Sequence, residues 1–142
     1  MKHLFDAELQ HTGSVEISPT GPIDGKLVGG GAGKALGPLI TGNLRWSLYE
    51  NSTAAGCSMQ LPGEIRTEDG ALIQFEARGQ GIVPDDKAPS HWRVGGAFHF
   101  QSKDERYKWP DAVLALWDGD FDMNTGKAFY RLYIPNTERQ QK

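Results

Sequence analysis

Apolar and polar residues alternate along most of this chain. Leu44, Trp46 and Leu48 are interleaved with Arg45, Ser47 and Tyr49, and Ile73, Phe75 and Ala77 with Gln74, Glu76 and Arg78. Met59, Leu61 and Ile65 stand in the same relation to Gln60, Glu64 and Arg66. A period of two marks strands with one buried face. Val94, Phe98 and Phe100 continue it across Gly95-Gly96, where a bulge or bend is expected. The pattern predicts strands near 3–11, 14–18, 22–28, 39–49, 56–67, 71–80, 91–101, 112–118 and 127–134. Turn chemistry separates several of them, at Glu68-Asp69-Gly70, Pro84-Asp85-Asp86 and Asn124-Thr125-Gly126. Lys103–Asp111 alone reads as a helical turn, and Pro110 limits it. Gly29–Gly33 and the tail after Pro135 read as the loosest parts, with no internal repeat or linker.

Two hairpins can be given a register. If Thr67 faces Ala71 across the Glu68-Asp69-Gly70 turn, Glu64 faces Gln74, Pro62 faces Glu76 and Gln60 faces Arg78. Ile65 with Ile73, Gly63 with Phe75 and Leu61 with Ala77 then form the apolar side. In the last hairpin Val113, Ala115 and Trp117 are expected to meet Leu132, Tyr130 and Ala128. Leu114 and Leu116 fall on the side of Phe129, Arg131 and Tyr133. Both faces of that pair are largely apolar, which calls for outside cover and predicts a homo-oligomer, although a local loop would also serve.

Many short, evenly spaced strands in 142 residues predict an all-β fold: one antiparallel barrel or sandwich spanning residues 1–142, without a second domain. Eighteen glycines and eight prolines argue against a helical bundle. A net charge of −3 leaves no footprint for nucleic acid or an anionic membrane surface. The lone Cys57 cannot form an internal disulfide. The opening Met1-Lys2-His3-Leu4-Phe5-Asp6 reaches an acid before any apolar run, so neither a signal peptide nor a membrane span is expected, and the expected location is cytoplasmic. Asn51-Ser52-Thr53 matches a glycosylation sequon that matters only in a secreted chain.

Motifs that suggest cofactors fail on spacing. Gly29-Gly30-Gly31-Ala32-Gly33-Lys34-Ala35 has Val28 and Ala35 where a phosphate loop needs glycine and a hydroxyl, so nucleotide binding is rejected. Counting from Asp118, an Asp118–Asn124 calcium loop would need glycine at Met123 and a bidentate Glu at Phe129. His3, His11, His91 and His99 lack metal-site spacing, and Cys57 sits in an apolar alternation as a packing residue. No metal and no cofactor are expected. The remaining chemistry lies in Arg45, Glu64, Gln74, Glu76, Arg78, His99, Tyr130, Arg131 and Tyr133, beside Trp46, Trp92, Trp109 or Trp117. The row from Gln60 to Arg78 is either a solvated outer face or the lining of an interior cavity, and the tryptophans serve equally well as core.

Several segments in consistent order over roughly 25–135 resemble the DUF3237 (UPF0311) family of β-barrel proteins. Gly33-Lys34-Ala35-Leu36-Gly37-Pro38-Leu39-Ile40-Thr41-Gly42 is similar to that family's Gly-x-x-x-Gly-Pro-Arg-Leu-x-Gly stretch. Further likenesses are Ile65-Arg66-Thr67-Glu68-Asp69-Gly70-Ala71-Leu72-Ile73 with Arg78-Gly79, then Phe100–Trp109, then Arg131-Leu132-Tyr133. The chain departs at Leu39, where the family usually has Arg, and at Gly63, where it usually has Tyr. The family's Gly-Gly-x-Asp-Trp segment has no counterpart around Leu48–Ala55. The resemblance implies a compact antiparallel barrel with a central cavity, often oligomeric, with some relatives linked to breakdown of aromatic compounds. Its fold is similar in outline to cofactor-free decarboxylase and cyclase barrels, a likeness of fold alone.

Pattern and resemblance together predict an antiparallel barrel of about 8–10 strands with a central cavity and one short helical turn. The expected function is a cofactor-independent lyase or decarboxylase moving protons on a small aromatic or unsaturated acid or carbonyl compound. Arg78, Arg131 and Tyr133 are expected to hold an anion, and Glu64 and His99 to act as acid and base, with Tyr133 also a catalytic candidate. Arg45, Trp46, Trp117 and Tyr130 are expected to complete the binding surface. An isomerase or cyclase in the same cavity, a non-catalytic barrel binding a small hydrophobic ligand, and an assembly protein with a filled interior are the alternatives.

Overall fold

The computed structural model describes residues 2–13, 17–19, 21–53, 56–84 and 86–135. Eight antiparallel strands close into a barrel in simple up-and-down order: β1 (Lys2–Thr12), β2 (Lys26–Leu36), β3 (Gly42–Thr53), β4 (Gly56–Thr67), β5 (Leu72–Ile82), β6 (His91–Gln101), β7 (Ala115–Asp122) and β8 (Lys127–Ile134). Strand β8 pairs back onto β1, so no edge is left unpaired. Two 3-10 turns, Glu105–Tyr107 and Trp109–Ala112, occupy the expected helical stretch. No helix among the described residues is long and apolar enough to cross a membrane.

An eight-stranded barrel is just wide enough for its side chains to meet in the middle, and glycines here make room for the largest of them. A Cβ at Gly31 or Gly63 would overlap the ring of Trp46 or Phe75, each the partner directly across the ladder. At Gly119 it would stand 2.7 Å from the Tyr130 ring, and at Gly79 2.6 Å from that of Trp117. Gly29–Gly33, expected as a loose loop, therefore lies within β2. At Gly29, with φ +139°, the β2–β3 register shifts by a bulge, and an added Cβ would stand 2.9 Å from the Thr12 carbonyl.

The β4–β5 ladder has the predicted register throughout, including Ile65 with Ile73 and Gln60 with Arg78. Gly70, with φ +89°, closes its turn. In β7–β8 the predicted sides are right but the register slides by four residues. Trp117 faces Leu132 rather than Ala128, because β7 continues through Asp118–Asp122 instead of breaking into an acidic loop. Leu114 is 49 % exposed beyond the start of β7, and Leu116, Phe129 and Tyr133 are half-buried on the outer side.

Residues 17–19 and 21–25, in and around the strands predicted near 14–18 and 22–28, are irregular and lie against the outside of β3 and β4, with β2 starting only at Lys26. Residues 14–16 and 20 lie outside the described residues, as do Asp85, the side chain of Thr53 in the sequon, and the tail after Pro135. Among the described residues, hydrogen bonds pin this connection to β3 and β4. Ile17 N–H donates to Ser47 Oγ at 2.6 Å, Asp24 N–H to Gln60 Oε1 at 2.8 Å, Gln60 Nε2 to the Pro22 carbonyl at 3.0 Å, and Asn51 Nδ2 to the Asp24 carbonyl at 3.1 Å. Ser47 and Gln60 are thus buried from outside with partners, as buried polar groups require.

The two ends differ. The start of β1, the end of β8, the turns 37–41 and 68–71 and both 3-10 turns gather at one end, where Leu4, Phe5, Ile65, Ile73, Ala115 and Leu132 are fully buried and Pro110 is tucked in. The β6–β7 connection is tied across it: Tyr107 Oη donates to Asp69 Oδ2 at 2.8 Å, Arg106 Nη1 to the Asp69 carbonyl at 2.9 Å and Ser102 Oγ to the Leu72 carbonyl at 3.1 Å. At the other end the inward side chains stop short of filling the bore.

Candidate functional site

A cavity of about 90 Å³ lies at that second end, where β1, β3, β5 and β7 finish and β2, β4, β6 and β8 begin. Its wall is Leu48, Met59, Val94 and Ala128, each an inward position of a strand whose alternation is apolar on that face. Its floor is Trp46, Leu61 and Tyr130. The same three residues roof a second void of about 20 Å³ deeper in the barrel, bounded below by Phe75, Phe98 and Trp117, so they form a partition. The tryptophan is seated against Gly31 and the tyrosine against Gly119.

The titratable side chains that line this mouth are those of His11, Glu50, Cys57 and Tyr130. His11 stands at the end of β1 with its ring 5.9 Å from that of Phe121. Trp92 donates its indole N–H to Met123 Sδ at 2.8 Å across the rim. Burial, reinforced by the charge of Glu50, pushes the Cys57 thiol up, against a hydrogen bond from the Gly81 backbone that lowers it. The Tyr130 phenol is likewise driven upward, chiefly by burial and then by Asp120 and Cys57. Both groups are therefore protonated at neutral pH. Neither arginine nor lysine lines the cavity.

Of the nine site residues expected from sequence, Trp46, Trp117 and Tyr130 face the interior, Trp117 reaching only the inner void. The other six are corrected to the outer face. Glu64 is held there by Arg45 (Nη2–Oε2 3.2 Å) and Arg66 (Nε–Oε2 3.1 Å), which places it away from the cavity and removes it as the cavity's acid or base. His99 is exposed beside Glu76 on the outside of β5–β6. Arg78 is exposed, with its carbonyl accepting the Trp117 indole N–H at 3.2 Å. Arg131 lies over the outward Phe129 ring, 5.8 Å from its centroid, and Tyr133 packs against the His3 ring at 5.9 Å. The reason is common to all six: on each strand they occupy the phase opposite to the apolar core residues.

His11, Glu50, Cys57 and Met59 were not singled out for the site, although the signal was present. Glu50 falls in phase with Leu44, Trp46 and Leu48, a charged residue in an apolar row at the end of a strand. Such a position marks a barrel mouth once the strand order is known. Among the described residues no group of three or more His, Cys, Asp or Glu side chains is placed to hold a metal ion, and Asp118–Asp122, weighed for calcium, is strand.

No family model matches the chain, and no curated protein matches it. Solved structures do. A protein of unknown function from Clostridium acetobutylicum ATCC 824 is 18 % identical, with a TM-score of 0.66 over 95 % of this chain and 98 % of its own. A β-barrel-like protein from Acinetobacter baumannii AYE is 12 % identical, with a TM-score of 0.66 over 94 % and 93 %. A conserved protein of unknown function from Rhodopseudomonas palustris is 14 % identical, with a TM-score of 0.67 over 94 % and 95 %. At these identities the likeness shows the fold: this chain is built as the same kind of β-barrel over nearly its whole length.

Proposed function

We propose that this protein is a ligand-binding barrel whose mouth takes a small, uncharged, ring-sized or short branched molecule. The observation that carries this reading is the lining of the cavity: aromatic, aliphatic and thioether groups around a few hydrogen-bonding atoms, with neither arginine nor lysine. Ligand sites are built in that way, and an apolar cavity of ~150 Å³ is known to accept benzene. At about 90 Å³ the space here is smaller than that and open at the mouth, so a ring would be enclosed in part, with the rest of the molecule lying over His11 and Met123 at the rim. A carboxylate is disfavoured, because it would meet the Glu50 carboxylate without a guanidinium to hold it. The decarboxylase expectation loses support on the same ground, since Arg78, Arg131 and Tyr133, the residues expected to hold the anion, lie on the outer face of the barrel.

Titration with toluene, cyclohexanone and benzoate, followed by NMR of the Met59 methyl and the indole N–H groups of Trp46 and Trp92, tests the reading. The two neutral probes should shift these signals and benzoate should not, and Met59→Trp, which fills the cavity, should abolish the shifts. A preference for benzoate, or no response to any probe, overturns it. A second reading rests on the presence of Glu50, Cys57 and Tyr130 at one cavity: proton transfer on a bound carbonyl compound, with Glu50 as the base. It requires that deuterium enter bound cyclohexanone beside its carbonyl from D2O faster than in buffer, and that Glu50→Gln remove the acceleration.

A further inference from the structure

We infer that the hydroxyl of Tyr130 is the polar anchor of this cavity, so that the preferred ligand carries a neutral oxygen acceptor, most simply a carbonyl, at its inner end. The inference rests on the mouth being a ligand site. Tyr130 is 8 % exposed and faces inward from β8, its ring 4.8 Å from Trp117 in an edge-on contact and close against Gly119. These contacts fix the ring and leave the hydroxyl as its free end.

That hydroxyl has no hydrogen-bond partner among the described residues, and nothing offsets the burial that drives its phenol upward. Buried tyrosine hydroxyls ordinarily find a partner, because leaving one without is costly. Three other buried groups have theirs: the Trp117 indole N–H donates to the Arg78 carbonyl, Gln60 is held by Pro22 and Asp24, and Ser102 donates to the Leu72 carbonyl. Tyr130 instead borders the cavity, where a ligand can reach its hydroxyl. Kept protonated, it offers a hydrogen to an acceptor arriving from the mouth. Cys57, also protonated, adds a weak S–H donor from β4. An acceptor at the inner end of a ring meets Tyr130, while the ring lies between Trp46 and the apolar wall. A carboxylate would find a donor there but neither arginine nor lysine, and would meet the Glu50 side chain, which favours neutral compounds.

Tyr130→Phe is the test, since it keeps the ring, its contact with Trp117 and its place over Gly119 while removing only the donor. Cyclohexanone and methylcyclohexane, similar in shape, are titrated into wild type and variant and compared as ratios across the variant, so that their different hydration cancels. Cyclohexanone should bind roughly tenfold more weakly to the variant, the loss of one good hydrogen bond. Methylcyclohexane should stay within about twofold, or tighten, because the desolvation of an unused hydroxyl is gone. Equal changes for the two probes, or no change for either, would overturn the anchor while leaving the ligand site standing. Failure of both probes to bind wild type would overturn the anchor together with the site.

Discussion

The two ends of the barrel are built from the same eight strands and do opposite things. At the end where β1 starts and β8 finishes, Leu4, Phe5, Ile65, Ile73 and Leu132 fill the bore completely, and the β6–β7 connection ties down a cover with Pro110 beneath it. At the mouth, His11, Trp92 and Phe121 remain half-buried, Met123 is 58 % exposed, and a cavity opens above Trp46 and Tyr130. The difference teaches where stability and function are kept apart. A small domain gains most from a fully packed layer, and an unfilled mouth gives up part of that gain to leave room for a ligand.

The sharpest way to break this comparison is to truncate one side chain at each end. Phe5→Ala empties a site of zero exposure and is expected to cost about 3–5 kcal/mol. Met123→Ala at the rim should stay within about 0.5 kcal/mol. Urea unfolding followed by tryptophan fluorescence measures both, and equal midpoints for the two variants would mean that the ends do not differ in their share of stability.

The partition between the halves offers a second, smaller effect. A methyl group at Gly31 overlaps the Trp46 ring, so Gly31→Ala should destabilise by about 1–3 kcal/mol through overpacking. Trp46→Leu in the same chain should relieve much of that cost. The resulting double-mutant cycle should show a coupling of about 0.5–3 kcal/mol, the range for residues in contact. Independent, additive effects would show that the glycine is not there to seat the tryptophan.

This glycine also marks where sequence reading stopped. Gly29–Gly33 looked like a loop because glycine is a poor strand former in isolation. Inside a narrow barrel its small size is what a facing Trp46 requires. Asp118, Gly119 and Asp120 misled for the same reason. Two exposed or half-exposed acids flank a glycine that fits against Tyr130, and reading the trio as a loop cost the β7–β8 register four residues. By contrast, Ile65 with Ile73 and Leu61 with Ala77 were legible, since an unambiguous turn joined two clean alternations. For the site, Trp46 and Tyr130 were legible as inward aromatics. Glu64, Arg78 and His99 were misplaced because a polar row has no mark saying whether it faces water or a cavity. The burial of Gln60 in that row comes from a connection crossing outside, which no local pattern announces.

The smallest expected effect concerns pH, and it sharpens the comparison at the covered end. Hydrogen bonds from the Arg106 side chain and backbone hold the Asp104 carboxyl down at about 2, and those from Thr67 and Tyr107 hold Asp69 below its usual range. A carboxylate with a depressed pKa in the folded state contributes stability that is fully present above its unfolded value near 4. For Asp104 that contribution is lost as pH falls through about 2. Because both carboxylates face solvent, screening keeps the effect small, at most a few degrees in Tm. Arg106→Gln should therefore narrow the difference in Tm between pH 5 and pH 2.5, while leaving ligand binding at the mouth unchanged at pH 7. An undiminished difference in the variant would show that the acid sensitivity of the fold arises elsewhere. The next place to look would be the open end, where Asp120 is pushed up by burial but lowered overall by His91 and Arg93.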